Sequence, residues 1–294
     1  MSECPFTSVA VGVDGSVAAG RAVAWAAERI RPGGTIELVY GSPDAAKRSS
    51  ASAHLEDDWS ETARKAGIDL RCTTSAEEPP VAVMKLADEV GADAVVVGAH
   101  GAGGAGRRSP FLGSVTRKLL IGSQRPLIVH NEVQSASDAG RVVGCVGYGP
   151  AAQAAAAWAA WYAATTNRKL ELLHAVSNRP IFPIDAAMDV LGSYLGPGVD
   201  MSWASEDLAA FGDELVADHP GLVVAPTVVR GSAVKAITEA GRGLEPDDAA
   251  ELVVIGRGAM PISSPLPRTP RLHRVIARSS CPVAVVPCRS DVQE

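Results

Sequence analysis

Residues 8–30 read SVAVGVDGSVAAGRAVAWAAERI, and residues 141–164 read RVVGCVGYGPAAQAAAAWAAWYAA. Each is a β-branched run, a glycine-containing turn and an alanine-rich helical stretch carrying tryptophan. In the first copy Val9, Val11 and Val13 stand in a short apolar run closed by Asp14 and Gly15. Such a run suits a strand buried on both faces. Ser16 fits a helix N-cap. Ala19, Val23, Ala26 and Ile30 then fall on one helical face, and Pro32, Gly33 and Gly34 predict the stop. The same plan written twice marks the chain as an internal repeat.

Reading outward, the other blocks recur in the same order. ADAVVVGAHG at 92–101 matches AELVVIGRG at 250–258, and RPLIVH at 125–130 matches CPVAVVP at 281–287. Between them the first half predicts strands at 35–41 and 68–74, a helix around His54–Ala66 and a helix over 80–91. It closes with strand 93–100, a glycine-rich loop, helix 114–123 and strand 126–130. Strands alternating with helices imply parallel pairing through right-handed crossovers. The fold class expected is α/β: two tandem Rossmann-like or flavodoxin-like domains, each a five-stranded parallel sheet with helices on both faces. The domains are placed at 1–135 and 141–294. The small, polar stretch QSASDAGR (134–141) reads as the linker, centred on 136–140. The second half is longer, chiefly in RPIFPIDAAMDVLGSYLGPGVDMSW (179–203) and GRGLEPDD (241–248).

Composition narrows the function classes. Of 294 residues 47% are apolar, enough for two cores, and only 4% are aromatic. A net charge of −6 argues against general affinity for nucleic acid or anionic membrane. No apolar run approaches the ~20 residues that span a bilayer, and the N-terminus lacks a signal-peptide pattern. The five cysteines are scattered with no C-x-x-C pair, which reads as reduced thiols in a cytoplasmic protein.

In an open parallel sheet, ligands sit beyond the carboxyl ends of the strands. Asp14 lies there, and so does the stretch 96–118, VVGAHGAGGAGRRSPFLGSVTRK. Its glycines allow backbone N–H groups close to an anion, and a helix beginning near Ser114 adds donors and a positive dipole end. Asp14 would repel phosphate and suits a ribose hydroxyl or a base N–H. Plainer readings stand beside these: a turn with a helix cap at Asp14 to Ser16, and a flexible loop at the glycines. Gly101 to Gly106 matches G-x-G-x-x-G but follows the fourth strand and opens no helix, so it carries little weight. His54, His130, His174, His219 and His273 are spread over different elements. Only His100 falls in the candidate site, and no nucleophile–base pair can be placed.

With these residues in view, the repeat resembles the universal stress protein domain, twice over. Nucleotide-binding members of that family share an Asp ending the first strand, then G-x-x-G, a spacer and G-[ST]. Here those are Asp14, Gly98 to Gly101, and Gly113-Ser114. The resemblance implies that Gly12, Val13 and Gly41 line an adenine with Asp14 nearby. Gly98, His100, Gly101, Gly113, Ser114, Val115 and Thr116 would surround the phosphates of ATP, with or without Mg. It implies a cytoplasmic stress-response module rather than a catalyst. The alternatives are a stress protein that binds no nucleotide and works through protein contacts, or a slow ATPase.

Departures from the pattern set further expectations. The spacer Ala102–Leu112 is longer than usual and holds Arg107, Arg108 and Pro110. It reads as a solvated loop, or as one that folds an arginine onto phosphate. In the second half Tyr148 is placed at the Asp position, Gly256-Arg257-Gly258-Ala259 lacks the second paired glycine, and Thr269-Pro270 replaces Gly-Ser. Pro270 has no N–H to offer. That half is therefore expected to hold no nucleotide. The short apolar strands at 126–130 and 281–287 would lie at sheet edges, which need covering. Family domains pair through this strand, so an intra-chain pseudo-dimer is expected, bringing Val129 and Val285 together. Homodimerisation through the outer faces is left open.

Overall fold

The computed structural model describes residues 4–101, 112–130, 140–147, 149–176, 202–243, 248–258 and 270–288. The N-terminal half runs β1 (Phe6–Gly12), α1 (Val17–Ala27), β2 (Ile30–Gly41), α2 (Ala45–Ala66), β3 (Asp69–Ser75), α3 (Pro79–Glu89), β4 (Ala94–Gly98), α4 (Ser114–Gly122) and β5 (Leu127–His130). The C-terminal half repeats the order: β6 (Arg141–Val146), α5 (Pro150–Thr165), β7 (Leu170–Val176), α6 (Ser202–Asp218), β8 (Val224–Arg230), α7 (Ala233–Arg242), β9 (Ala250–Arg257), α8 (Pro270–Arg278) and β10 (Val283–Pro287). The expected linker and most of the 179–203 insertion lie outside the described residues.

All ten strands form one sheet, ordered β3-β2-β1-β4-β5-β10-β9-β6-β7-β8. Pairing is parallel within each half and antiparallel only at β5 and β10. The apolar runs explain the layering, because alternate residues of one strand face opposite sides. Val9 and Val11 pack with α1, and Ala94, Val96 and Ile128 join them. Ala10, Val95, Val97, Leu127 and Val129 enter the core on the other face, beneath α3 and α4. Both cores run unbroken into the second half, through Ala284 and Val286 on one face and Val283 and Val285 on the other. Each buried valine contributes roughly 1.5–3 kcal/mol relative to exposure, so the seam is a continuous interior rather than a surface contact.

At the seam Ile128 faces Ala284, with Leu127 opposite Val285 and Val129 opposite Val283. The pseudo-twofold axis therefore passes through the Ile128/Ala284 pair. Val129 and Val285, expected close together, are related by the axis, sit one diagonal step apart and share one core.

Three further readings need correction. Helix α1 ends at Ala27, and Ile30 already opens β2, with Pro32, Gly33 and Gly34 inside that strand. Strand pairing overrides the helical spacing here: Ile30 registers with Phe6, and Gly33, at φ 78°, donates its N–H to Gly67 O at 2.9 Å. Helix α2 begins at Ala45, well before His54, because Asp44 caps it by accepting from Ala46 N (2.9 Å) and Lys47 N (3.3 Å). Finally, the register of the two halves shifts the Asp14 counterpart. Val9 pairs with Ile36 and Val142 with Leu170, and the following helices begin at the same remove, at Val17 and Pro150. Asp14 thus corresponds to Gly147, while Tyr148 corresponds to Gly15 and itself lies outside the described residues.

A polar lock also joins the halves. Glu251, 6% exposed at the start of β9, takes Arg29 Nη2 at 3.0 Å and Arg168 Nε at 2.8 Å. Its Oε1 also accepts from the Tyr162 hydroxyl at 2.9 Å. Burial works against the Arg29 charge, but Tyr162 and Glu251 outweigh it and raise its pKa. Phe6 packs nearby among Trp25, Trp158, Trp161 and Tyr162, with ring centroids 6.0 to 6.5 Å away. All five cysteines are free thiols. Among the described residues no helix is long and apolar enough to cross a membrane.

Candidate functional site

The site is built where β1 gives way to α1. Val13 N–H bonds Val39 O at 3.0 Å and carries the β1–β2 pairing one residue further. The chain then turns: Asp14 Oδ1 accepts the Ser16 N–H at 3.0 Å, and Gly15 takes φ 76°. This Asx turn is the local reason Asp14 stands at the strand's carboxyl end. Ser16 Oγ in turn accepts Ala19 N–H at 3.1 Å and caps α1. The second carboxylate oxygen lies against Gly101: a Cβ on that glycine would come within 2.7 Å of Asp14 Oδ2. Glycine at 101 thus leaves room for the Asp14 carboxylate against the loop after β4.

Helix α4 forms the facing wall. Gly113 N–H bonds Ala99 O at 3.0 Å, which closes the loop after β4, and among the described residues no side chain caps the helix. The helix's first bond runs from Arg117 N to Gly113 O at 3.0 Å. Helix geometry leaves the N–H groups of the first turn without intrahelical partners, at the positive end of the dipole. Thr116, 2% exposed, donates its hydroxyl to Gly98 O at 3.0 Å. That bond holds the first turn of α4 against the end of β4, so the Thr116 hydroxyl proton serves the fold.

These parts enclose a cavity of about 590 Å³ at the carboxyl ends of β1, β2 and β4, where the strand order reverses. All eleven residues singled out from the sequence line it: Gly12, Val13, Asp14, Gly41, Gly98, His100, Gly101, Gly113, Ser114, Val115 and Thr116. Val39, Pro79 and Val83 give it an apolar end. Tyr40, Ser42 and Lys47 also line it, and the sequence reading missed them. Lys47 had a usable signal, since SPDAAK at 42–47 carries the cap that starts α2. Arg107, Arg108 and Pro110 lie outside the described residues. Among those described, no three His, Cys, Asp or Glu side chains are grouped to hold a metal ion.

Among the described residues, the second half shows a smaller cavity at the corresponding strand ends. Its cavity at the ends of β6 and β7 measures about 180 Å³. It is lined by Val146, Gly147, Gly149, Gln153, His174 and residues of α6, with nothing from β9 or α8. Of its lining residues, His174 has Nδ1 3.0 Å from Val146 O. Helix α8 starts at Pro270, in the place of Ser114, while Thr269 lies outside the described residues.

The family model described as the universal stress protein family matches the chain twice, over residues 5–130 and 139–287. Comparison with functionally curated proteins returns no match. Among solved structures, a universal stress protein from Archaeoglobus fulgidus superposes with a TM-score of 0.66 at 18% identity, covering 98% of each chain. A protein of unknown function from Pseudomonas aeruginosa gives 0.60 at 14% identity, over 96% of this chain and 93% of that one. The cytoplasmic domain of a prokaryotic cation chloride cotransporter gives 0.52 at 12% identity, over 95% and 93%. At these identities the superpositions carry the two-domain fold and nothing beyond it.

Proposed function

The chain belongs to the universal stress protein family, and we propose that it binds one adenine nucleotide, ATP foremost, in the cavity of its N-terminal half and none in its C-terminal half. The carrying observation is that Asp14, the glycines after β4 and the uncapped start of α4 all line one cavity of about 590 Å³. That volume lies within the ~300–1,000 Å³ range of small-ligand sites. The backbone N–H groups of Ser114, Val115 and Thr116 in the first turn of α4, with the Ser114 hydroxyl, suit phosphate oxygens. Asp14 is an acceptor and suits the donor hydroxyls of a ribose. Val39, Pro79 and Val83 suit the face of a base. A Mg ion here would ride on the phosphates. The protein then acts as a cytoplasmic regulatory module whose state reports nucleotide occupancy.

Calorimetric titration of the full chain with ATP tests the proposal, with an expected stoichiometry of one. Gly113→Val should abolish binding and leave the unfolding midpoint nearly unchanged. Gly113 has φ −57° and ψ 154°, open to any residue, and its added Cβ would lie 3.4 Å from Ala99 O. The branched methyls therefore fill the cavity without straining the backbone. Two nucleotides per chain, or full binding by Gly113→Val, would overturn the reading.

A further inference from the structure

We propose that Arg257, a residue of the C-terminal half, is a positioning residue for the N-terminal cavity: it clamps the carboxyl end of α4 and so fixes the donors at the helix's other end. This rests on the nucleotide reading for its effect on ligands, though the clamp itself does not. Arg257 is the last residue of β9, registered with Pro287. It occupies the place that Ala99 holds in the first half, one residue past the Gly98/Gly256 pair. From there its guanidinium crosses the seam. Nη1 donates to Leu120 O at 2.7 Å and to Ile121 O at 2.6 Å, and Nη2 donates to Ser123 O.

Those carbonyls belong to the end of α4, where helix geometry leaves C=O groups without partners. Locally, Ser123 N–H donates to Leu119 O at 2.9 Å and Gln124 Nε2 to Gly122 O at 3.4 Å, while the carbonyls of Leu120, Ile121 and Ser123 accept from Arg257. Its C-cap, Ser123, is extended rather than left-handed, and no basic residue stands in its last turn. The Ser123 hydroxyl is turned to Arg125 O at 2.8 Å. Helix α8, its counterpart, carries Arg278 in its own last turn. The brace also runs one way, because Ala99 has no side chain with which to reach α8. A guanidinium at this end complements the dipole, and its fork satisfies several acceptors at once.

Helix α4 spans nine residues, from Ser114 to Gly122, or about 13 Å at 1.5 Å per residue. Over that length a helix is stiff, so fixing both ends fixes its axis. Thr116 Oγ1 and Gly113 N tie the near end to Gly98 O and Ala99 O. Arg257 ties the far end. Donors held in place bind an anion better than donors that must be ordered on binding. The second half, with glycine in place of Asp14, thus contributes to the first half's site by bracing it.

The test uses the full chain and the variants Arg257→Ala and Arg257→Lys. Without ligand, amide exchange in α4 should rise at least about tenfold in Arg257→Ala, with protection partly restored by Lys. By calorimetry, ATP affinity should fall about 3- to 20-fold in Arg257→Ala, the range expected for coupling through a packed element. Adenosine has no phosphates for α4 to meet, so its affinity should hold. Tyr162→Phe, at the far side of the interface, should leave the ATP-to-adenosine ratio unchanged. Unaltered exchange in α4, or equal losses for ATP and adenosine, overturns the proposal. A wild-type chain that binds neither ligand removes the nucleotide reading, and the exchange measurement then decides the brace alone.

Discussion

At the end of its first strand the N-terminal half carries Asp14, and the C-terminal half carries Gly147. At the foot of the fourth strand stand Asp93 and Glu251. Asp93 Oδ2 accepts from Thr7 N and Ser8 N, at 2.7 and 3.0 Å, and stays within its own half. Glu251, one methylene longer, reaches Arg29 across the seam and Arg168 beside it. After the fourth strand Ala99 leaves room for the loop, while Arg257 crosses to α4. At 251 and 257 the C-terminal half reaches its neighbour, where the N-terminal half keeps Asp93 bonded within itself and Ala99 small. One backbone plan thus serves a cavity in one copy and an interface in the other.

The comparison is broken most sharply at the acid pair. Glu251→Ala leaves two arginines facing each other in the interior, a loss of about 3–5 kcal/mol for a broken buried pair. Asp93→Ala removes two hydrogen bonds at an exposed strand end, for about 1–2 kcal/mol. Urea unfolding of both variants should show the larger drop for Glu251. Equal drops would mean that Glu251 does no more for the seam than Asp93 does for β1.

A smaller effect is expected from exchanging the strand-end residues. Asp14→Gly gives the first half the residue of the second. It should weaken ATP binding by about 1.5–3 kcal/mol, the worth of hydrogen bonds to a charged group. The reverse change, Gly147→Asp, should create no second site, since Pro270 removes a donor from the start of α8. Calorimetry that finds two sites in Gly147→Asp would show that the halves differ by one residue only.

The smallest effect concerns His273, which occupies in α8 the place of Arg117 in α4. Burial, and then the nearby Arg117 charge, hold the His273 pKa below its usual value. The folded chain thus disfavours the protonated ring. The contribution to stability is present above the unfolded pKa of about 6.5 and is lost as pH falls below it. His273→Gln should flatten the fall in unfolding free energy between pH 7 and pH 5. An unchanged slope would move that titration elsewhere.

Much of this was legible in the sequence, because period and order carry it. The valine runs of β1, β4 and β9 are local signals that the repeat confirms against one another, and the cap at Ser16 is local too, though its twin is Gly149. The grouping of Asp14 with Gly98, Gly101 and Gly113 was readable from spacing and resemblance together. What escaped was set by pairing at a distance. Ile30 looks helical by its spacing, yet β1 claims it for β2. Lys47 lies ahead of the stretch around His54 that reads as helix, although Asp44 supplies a cap. Gly147, not Tyr148, answers to Asp14, and only the strand register decides between two neighbours in a glycine-rich turn. No local pattern tells that Arg257 reaches α4 or that Glu251 reaches Arg29.

The seam between β5 and β10 also sets a timetable for synthesis. Ile128 and Ala284 are neighbours in the sheet, yet roughly 150 residues of chain must be made between them, about 8–30 s of elongation. Through that interval β5 is an open edge on a half whose other strands have already emerged. It is only four residues long, Leu127–His130, a poor template for a stray strand. A nascent chain that paired its β5 with that of a neighbouring ribosome's product would form the same seam between molecules. The brevity of β5 therefore protects the nascent half while β10 is still being translated.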